Sequence, residues 1–218
     1  MTNKKLPSKK IIKEELIKDL ELKDIKSKIK YLAQVIGLQK LIEFSEILGG
    51  EEIYIPTKKG LLINPTKRLV ATLVPKYKTT EIVEILGVSN NLVEKTRELS
   101  KKEKLEKIAN KTPRKLTPKK VDEILIADLR DSDMSENFMD IIEIIGFEKA
   151  IECCEKIGGL CMYMPHINKV LYGPRKRMAA KLYNEKHHPV EIGKLLNMNH
   201  EDVKKVAKLY SSEKEENE

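Results

Sequence analysis

The chain has 218 residues, 40% hydrophobic and 35% charged, with a net charge of +8. No stretch approaches the roughly 18 apolar residues of a membrane span, and the N-terminal MTNKKLPSKK lacks the apolar segment of a signal peptide. Three clustered cysteines, Cys153, Cys154 and Cys161, with no CxxC, argue for a reducing, cytoplasmic setting and against a disulfide framework.

Charge alternates along the chain. Residues 14–52 are acidic, 53–100 basic, 101–121 strongly basic, 122–161 acidic and 162–210 basic. A polar module used twice, with one end of each copy facing a polyanion, gives this pattern.

The first elements have helical periodicity. Ile12, Leu16 and Leu20 predict a helix over 11–22, Ile25, Ile29 and Leu32 a second over 25–35, and Leu38 to Leu48 a third that ends on a left-handed Gly49-Gly50 cap. IYIP (53–56) reads as a short strand in a helical setting. A lone strand cannot satisfy its own backbone groups, so it needs a partner. Asn64 is expected to cap a helix with Pro65 at its first position and Lys67 and Arg68 in its first turn.

The stretch TTEIVEILGVSNNLVEKTREL (79–99) is the most specific. A helix with Ile82, Val83, Ile85 and Leu86 breaks at Gly87. Ser89 can then cap a second helix with Leu92 and Val93 inward. This is helix-turn-helix spacing, with small polar residues where base edges would be met. A helical hairpin without a DNA role has the same pattern.

Shifted by 109 residues, the chain overlays itself. EELIKDLELKD (14–24) meets EILIADLRDSD (123–133), VIGLQKLIEFSEILGG (35–50) meets IIGFEKAIECCEKIGG (144–159), IYIP meets MYMP (162–165), and NPTKRLVATL (64–73) meets GPRKRMAAKL (173–182). At a shift of 110, TEIVEILGVSNNLVEK (80–95) meets VEIGKLLNMNHEDVKK (190–205). Two copies of this length imply a duplicated domain rather than a solenoid.

The expected fold is mainly α: two tandem copies, each a helical module with one short strand and a C-terminal helix-turn-helix. The strands would pair between copies on a pseudo-twofold axis, as two chains of a homodimer do. The first copy spans 11–99, with a helical core 11–50, strand 53–56 and helix-turn-helix region 64–99. A basic linker, 100–119, follows. The second copy spans 120–210, with core 120–159, strand 162–165 and helix-turn-helix region 173–210. An acidic, disordered tail, 211–218, closes the chain.

Candidate DNA contacts in the first copy are Lys67, Arg68, Thr79, Thr80, Ser89, Asn90, Asn91, Lys95 and Arg97. In the second they are Arg175, Lys176, Arg177, His188, Asn199, His200, Lys204 and Lys205. There Asn197 stands in for the turn glycine, and Glu201 and Asp202 in the first turn of the recognition helix repel phosphates. The first copy is therefore expected to read bases and the second to position the protein on the backbone. Tyr54 and Tyr163 occupy equivalent strand positions, read as axial packing or as a contact to the minor groove. Cys153, Cys154, Cys161 and His166 fit no common zinc spacing, so no metal or cofactor is expected. No catalytic pattern points to an enzyme.

Ile36-Gly37, Gly49-Gly50, IYIP and Ile85-Leu86-Gly87-Val88-Ser89 recur as Ile145-Gly146, Gly158-Gly159, MYMP and Leu195-Leu196-Asn197-Met198-Asn199. This order resembles the Mor family of phage transcription activators over nearly all of each copy. The resemblance implies N-terminal helices forming a dimer core, strands pairing across it, helix-turn-helix units on an imperfect DNA dyad, and recruitment of RNA polymerase. That family usually carries one copy per chain, so here it implies a monomer acting as a pseudo-dimer on double-stranded DNA, away from membranes. The alternatives are a helical protein-interaction module and a sequence-neutral nucleoid or RNA-binding protein.

Overall fold

The computed structural model describes residues 6–101 and 117–215. Among them are fourteen α-helices and two short strands. In chain order they are α1 (Lys9–Lys18), α2 (Ser27–Ile36), α3 (Leu38–Ile47), β1 (Glu52–Tyr54), α4 (Lys58–Leu61), α5 (Ile63–Leu73), α6 (Thr79–Leu86) and α7 (Asn90–Lys101). Then follow α8 (Pro118–Ala127), α9 (Glu136–Ile145), α10 (Phe147–Ile157), β2 (Cys161–Tyr163), α11 (Ile167–Val170), α12 (Tyr172–Asn184), α13 (Pro189–Leu196) and α14 (His200–Glu215). Short 3-10 turns at Leu22–Asp24 and Asp131–Asp133 follow α1 and α8.

β1 and β2 form a two-stranded sheet. The flanking bonds continue it antiparallel: Gly50 N–H to Met164 O and Met164 N–H to Glu51 O, both 2.8 Å, then Ile55 N–H to Leu160 O at 3.0 Å and Gly159 N–H to Ile55 O at 2.7 Å.

The chain divides into two compact units that do not follow the expected copy boundaries. One takes the chain up to Ile53 together with the chain from Cys161 on; the other is Tyr54–Leu160. Each unit therefore holds the helices before one strand and the helices after the other.

In the unit Tyr54–Leu160, Leu69, Val70 and Leu73 of α5, Ile82 of α6 and Val93 of α7 form a core with Val121 and Leu125 of α8. Thr117 caps α8, its side chain accepting from Lys120 N, and Pro118 occupies the first position, where its missing N–H costs nothing. Lys58 Nζ bonds Asp122 (2.8 Å) and Glu155 (2.7 Å), bracing α4 against α8 and α10.

In the other unit, Leu32, Leu41, Phe44, Met164 and Ile192 are fully buried. Ile12 and Leu16 of α1 are buried where α1 packs on α12, while α13 and α14 pack on α12 and each other.

Four local expectations change. Asn64 is not a cap: α5 begins at Ile63, and Pro65 is buried within its first turn. The strands are shorter than expected and begin one residue earlier. The first glycine of each pair is not a left-handed cap: α3 is capped at Leu48, and Gly158 after α10 is extended, with φ -60 and ψ 144. A Cβ on Gly49 would lie 2.9 Å from His166 Cα, and one on Gly158 would lie 2.7 Å from Thr57 Cα. These glycines admit a crossing backbone. The expected disordered tail, 211–218, is helical as far as Glu215. Most of the expected linker, residues 102–116, lies outside the described residues.

Candidate nucleic-acid interface

In the unit Tyr54–Leu160, α6 and α7 are joined by a tight turn. Gly87 has φ 62 and ψ 27, left-handed values that a side chain disfavours. Ile82 and Val93 are completely buried and hold the two helices together. Ser89 Oγ accepts from Leu92 N at 3.3 Å and opens α7. With Val93 turned inward, α7 leaves Asn90, Asn91 and Lys95 exposed; Thr80 of α6 and Lys67 of α5 are exposed too.

Two candidates on these helices face each other instead. The Thr79 hydroxyl donates to Glu94, and Arg97 Nη2 donates to Thr79 Oγ1 at 3.2 Å. Arg97 Nε stands 3.9 Å from Glu94 Oε2. Thr79 and the half-buried Arg97 tie α6 to α7.

Arg68 is a correction. It is 8% exposed. Its Nε donates to Asp128 Oδ2 (2.6 Å), while Nη1 and Nη2 donate to Asp133 Oδ1 (3.1 Å) and Oδ2 (2.6 Å). The guanidinium, bonded first of all to Asp133, holds the Asp133 carboxyl below the usual carboxylate range, and Asn64 adds a side-chain hydrogen bond. A cation spent on two carboxylates in the interior is not offered to a phosphate.

Arg177 repeats the arrangement in the other unit. Nε donates to Asp19 Oδ2 (2.7 Å) and Nη2 to the Asp19 carbonyl (2.6 Å), while Nη1 and Nη2 each meet an Asp24 oxygen at 2.8 Å. It too leaves the set of free cations. A Cβ on Gly173 would fall 2.2 Å from Asp24 Oδ1, so the small residue there makes room for the pair. Sequence reasoning missed the four aspartates. The available signal was that Arg, Asp and Asp recur unchanged at shift 109.

In that same unit α13 and α14 are joined at Asn197, with φ 51 and ψ 52. A Cβ on Gly193 would lie 2.7 Å from Met198 O, so the turn closes directly on α13. His188 caps α13, its Nδ1 accepting from Val190 N at 3.4 Å. Asn199 Oδ1 accepts from Glu201 N at 3.0 Å. His200, Lys204 and Lys205 are exposed at the start of α14. Glu201 takes up part of their charge, lying 3.0 Å from Lys204 and 3.2 Å from His200. At the start of α12, half-buried Arg175 bonds Asn168, and Lys176 Nζ lies 4.4 Å from the Tyr172 ring centre.

Tyr54 and Tyr163 are 50% and 54% exposed. Cys153 and Cys154 are buried, and burial pushes their thiols up to about 11 and about 12. They behave as small core residues. Cys161 is exposed and donates to Glu52 Oε1 at 3.1 Å. Among the described residues no group of three or more His, Cys, Asp or Glu could hold a metal ion, and no helix is long and apolar enough to cross a membrane. The chain matches no family model, no curated protein and no solved structure.

Proposed function

We propose that this chain is a sequence-specific, double-stranded DNA-binding regulator of transcription. In this reading it is a duplicated, Mor-like helix-turn-helix protein of phage or mobile-element type, working in the cytoplasm as a single-chain pseudo-dimer. The carrying observation is the first turn of α7. After a left-handed turn, that helix begins with two exposed asparagine amides and an exposed lysine one turn on, while Val93 is buried and Leu92 half-buried. Asn amides pair bidentately with adenine, and lysines neutralise phosphates.

The copies are unequal in this reading. The start of α7 reads bases, and the start of α14, with Glu201 among its cations, contributes position. The site would be an imperfect dyad with one dominant half. Contact with RNA polymerase follows only from the Mor-like resemblance.

The test is selection of bound sequences from a random duplex pool at moderate salt. An enriched imperfect dyad supports the reading. Binding without enrichment favours a sequence-neutral nucleoid or RNA-binding protein. No binding removes the reading and favours a protein partner, for which the exposed Tyr31 and Ile47 of α2 and α3 are an apolar starting point.

A further inference from the structure

The unit that contains α12 has a groove of about 740 Å3, within the size range of small-ligand sites. Three tyrosines line it: Tyr163 of β2, Tyr172 at the start of α12 and Tyr210 near the end of α14. Three lysines line it as well, Lys26, Lys169 and Lys176. None of these lysines is ion-paired with a carboxylate among the described residues. The acid on the wall, Asp24, is already neutralised by Arg177.

Aromatic faces beside uncompensated ammonium groups match one ligand chemistry, a planar base carrying a phosphate. The geometry points to a binding site for a nucleoside phosphate in this groove.

Two further observations agree. Arg175 bonds Asn168 on the groove wall and has no carboxylate partner among the described residues, although burial drives its guanidinium below its ordinary value. A half-buried cation held in that condition gains from an anion nearby. At the groove some positions differ from their counterparts at shift 109 or 110, while Tyr163, Pro165 and Lys176 match Tyr54, Pro56 and Lys67. Tyr172 stands against Ile63, Asn168 against Lys59, Lys169 against Gly60, Arg175 against Thr66 and Tyr210 against Ser100. The rings of Tyr172 and Tyr210 and the charge of Lys169 thus have no equivalent in the other half of the chain, while the ion pairs of Arg68 and Arg177 stay the same.

The chain has seven tyrosines and no tryptophan, so tyrosine emission is a direct reporter. The full-length chain is titrated with AMP, GMP, CMP and UMP, then with a single-stranded oligonucleotide, inorganic phosphate and poly-glutamate. Saturable quenching by a mononucleotide is expected, about tenfold weaker in Tyr172→Ala, as loss of one stacking partner implies. Lys169→Glu should weaken it similarly, and Tyr31→Ala should leave it unchanged. Tyr172 and Lys169 are both exposed, and circular dichroism verifies that the variants fold.

Quenching by the oligonucleotide alone, with the same variant pattern, assigns the nucleotide to a strand rather than to a free effector. Inorganic phosphate binding as tightly as the mononucleotides overturns the stacking site. So does poly-glutamate binding with the same variant pattern, or the absence of saturable quenching with any nucleotide. None of these outcomes depends on duplex recognition, so failure here and failure of the transcription reading are distinguishable.

Discussion

Arg177 and Asp24, 153 residues apart in sequence, meet through two parallel hydrogen bonds of 2.8 Å, Nη1 to Oδ1 and Nη2 to Oδ2. Arg68 and Asp133 form the same fork in the other unit. Planar guanidinium and planar carboxylate match in this geometry, which lysine cannot reproduce. Both arginines sit where the sequence pattern suggested phosphate contacts. Their charge holds α5 and α12 against the turns that follow α8 and α1.

Removing either arginine leaves carboxylates without a partner. At Arg68 the whole network is buried, so Arg68→Ala is expected to cost about 3–5 kcal/mol, the range for breaking a buried pair. Arg177 is more open to water and Asp19 more so still, and Arg177→Ala should cost less. Urea unfolding of the two variants checks the order. Equal and small losses would mean the pairs are incidental. Arg177→Lys should recover only part of the loss.

The same pairs set an acid response. The bonded guanidinium groups hold Asp24 and Asp133 below the ordinary aspartate range, chiefly through hydrogen bonds from Arg177 and Arg68. A lowered folded-state pKa contributes stability that is complete above the unfolded value and disappears as pH falls through the folded one. The loss therefore lies below about pH 4, where free aspartate titrates. The denaturation midpoint should hold steady from pH 7 to 5 and then drop. In Asp24→Asn, Asp133→Asn it should start lower and drop less. Identical pH profiles would contradict this.

The proposed DNA recognition gives a sharper prediction now that Arg68, Arg177, Thr79 and Arg97 are seen in internal contacts. Lys95→Ala should weaken binding to all duplexes alike and lower the salt slope by about one. Asn90→Ala, Asn91→Ala should reduce discrimination between sequences while leaving that slope in place. Comparable substitution of His200 and Lys204 should affect affinity more than discrimination. Binding isotherms at several salt concentrations, on the selected and a scrambled site, separate these effects. Loss of discrimination on changing His200 and Lys204 but not the asparagines would reverse the roles of the copies.

Much of the architecture was legible because it is local. Apolar spacing located the helices within a few residues, and Gly87 and Asn197 marked the turns through their tolerance of positive φ. What the glycine pairs and Arg68 do depends on chain that is distant in sequence. Gly49 reads as an ordinary cap until His166 is seen crossing it. An arginine in a helix's first turn reads as exposed until Asp128 and Asp133 are brought to it. The overlay of the sequence on itself at shift 109 pairs residues such as Arg68 with Arg177, but does not say which half of one stretch packs with which half of the other. Both arrangements have the same periodicity.

The observed choice has a direct consequence for cutting the chain. Each compact unit draws on both sides of the segment between Lys101 and Thr117. Val121 and Leu125 complete a core with Leu69, Leu73 and Val93, and Arg177 from the later part of the chain holds Asp24 from the earlier part. A protease site introduced between Lys101 and Thr117, once cut, should leave two fragments that elute together in gel filtration with unchanged helical content. In urea they should come apart as the fold is lost, and refolding should depend on protein concentration because a one-chain reaction has become bimolecular. Arg68→Ala in the cut protein should weaken the association more than it weakens the intact chain, since the fragments lack the tether that keeps Asp128 and Asp133 near. Fragments that separate under native conditions, each keeping its helices, would mean that every copy folds on itself and that the exchange of halves is wrong.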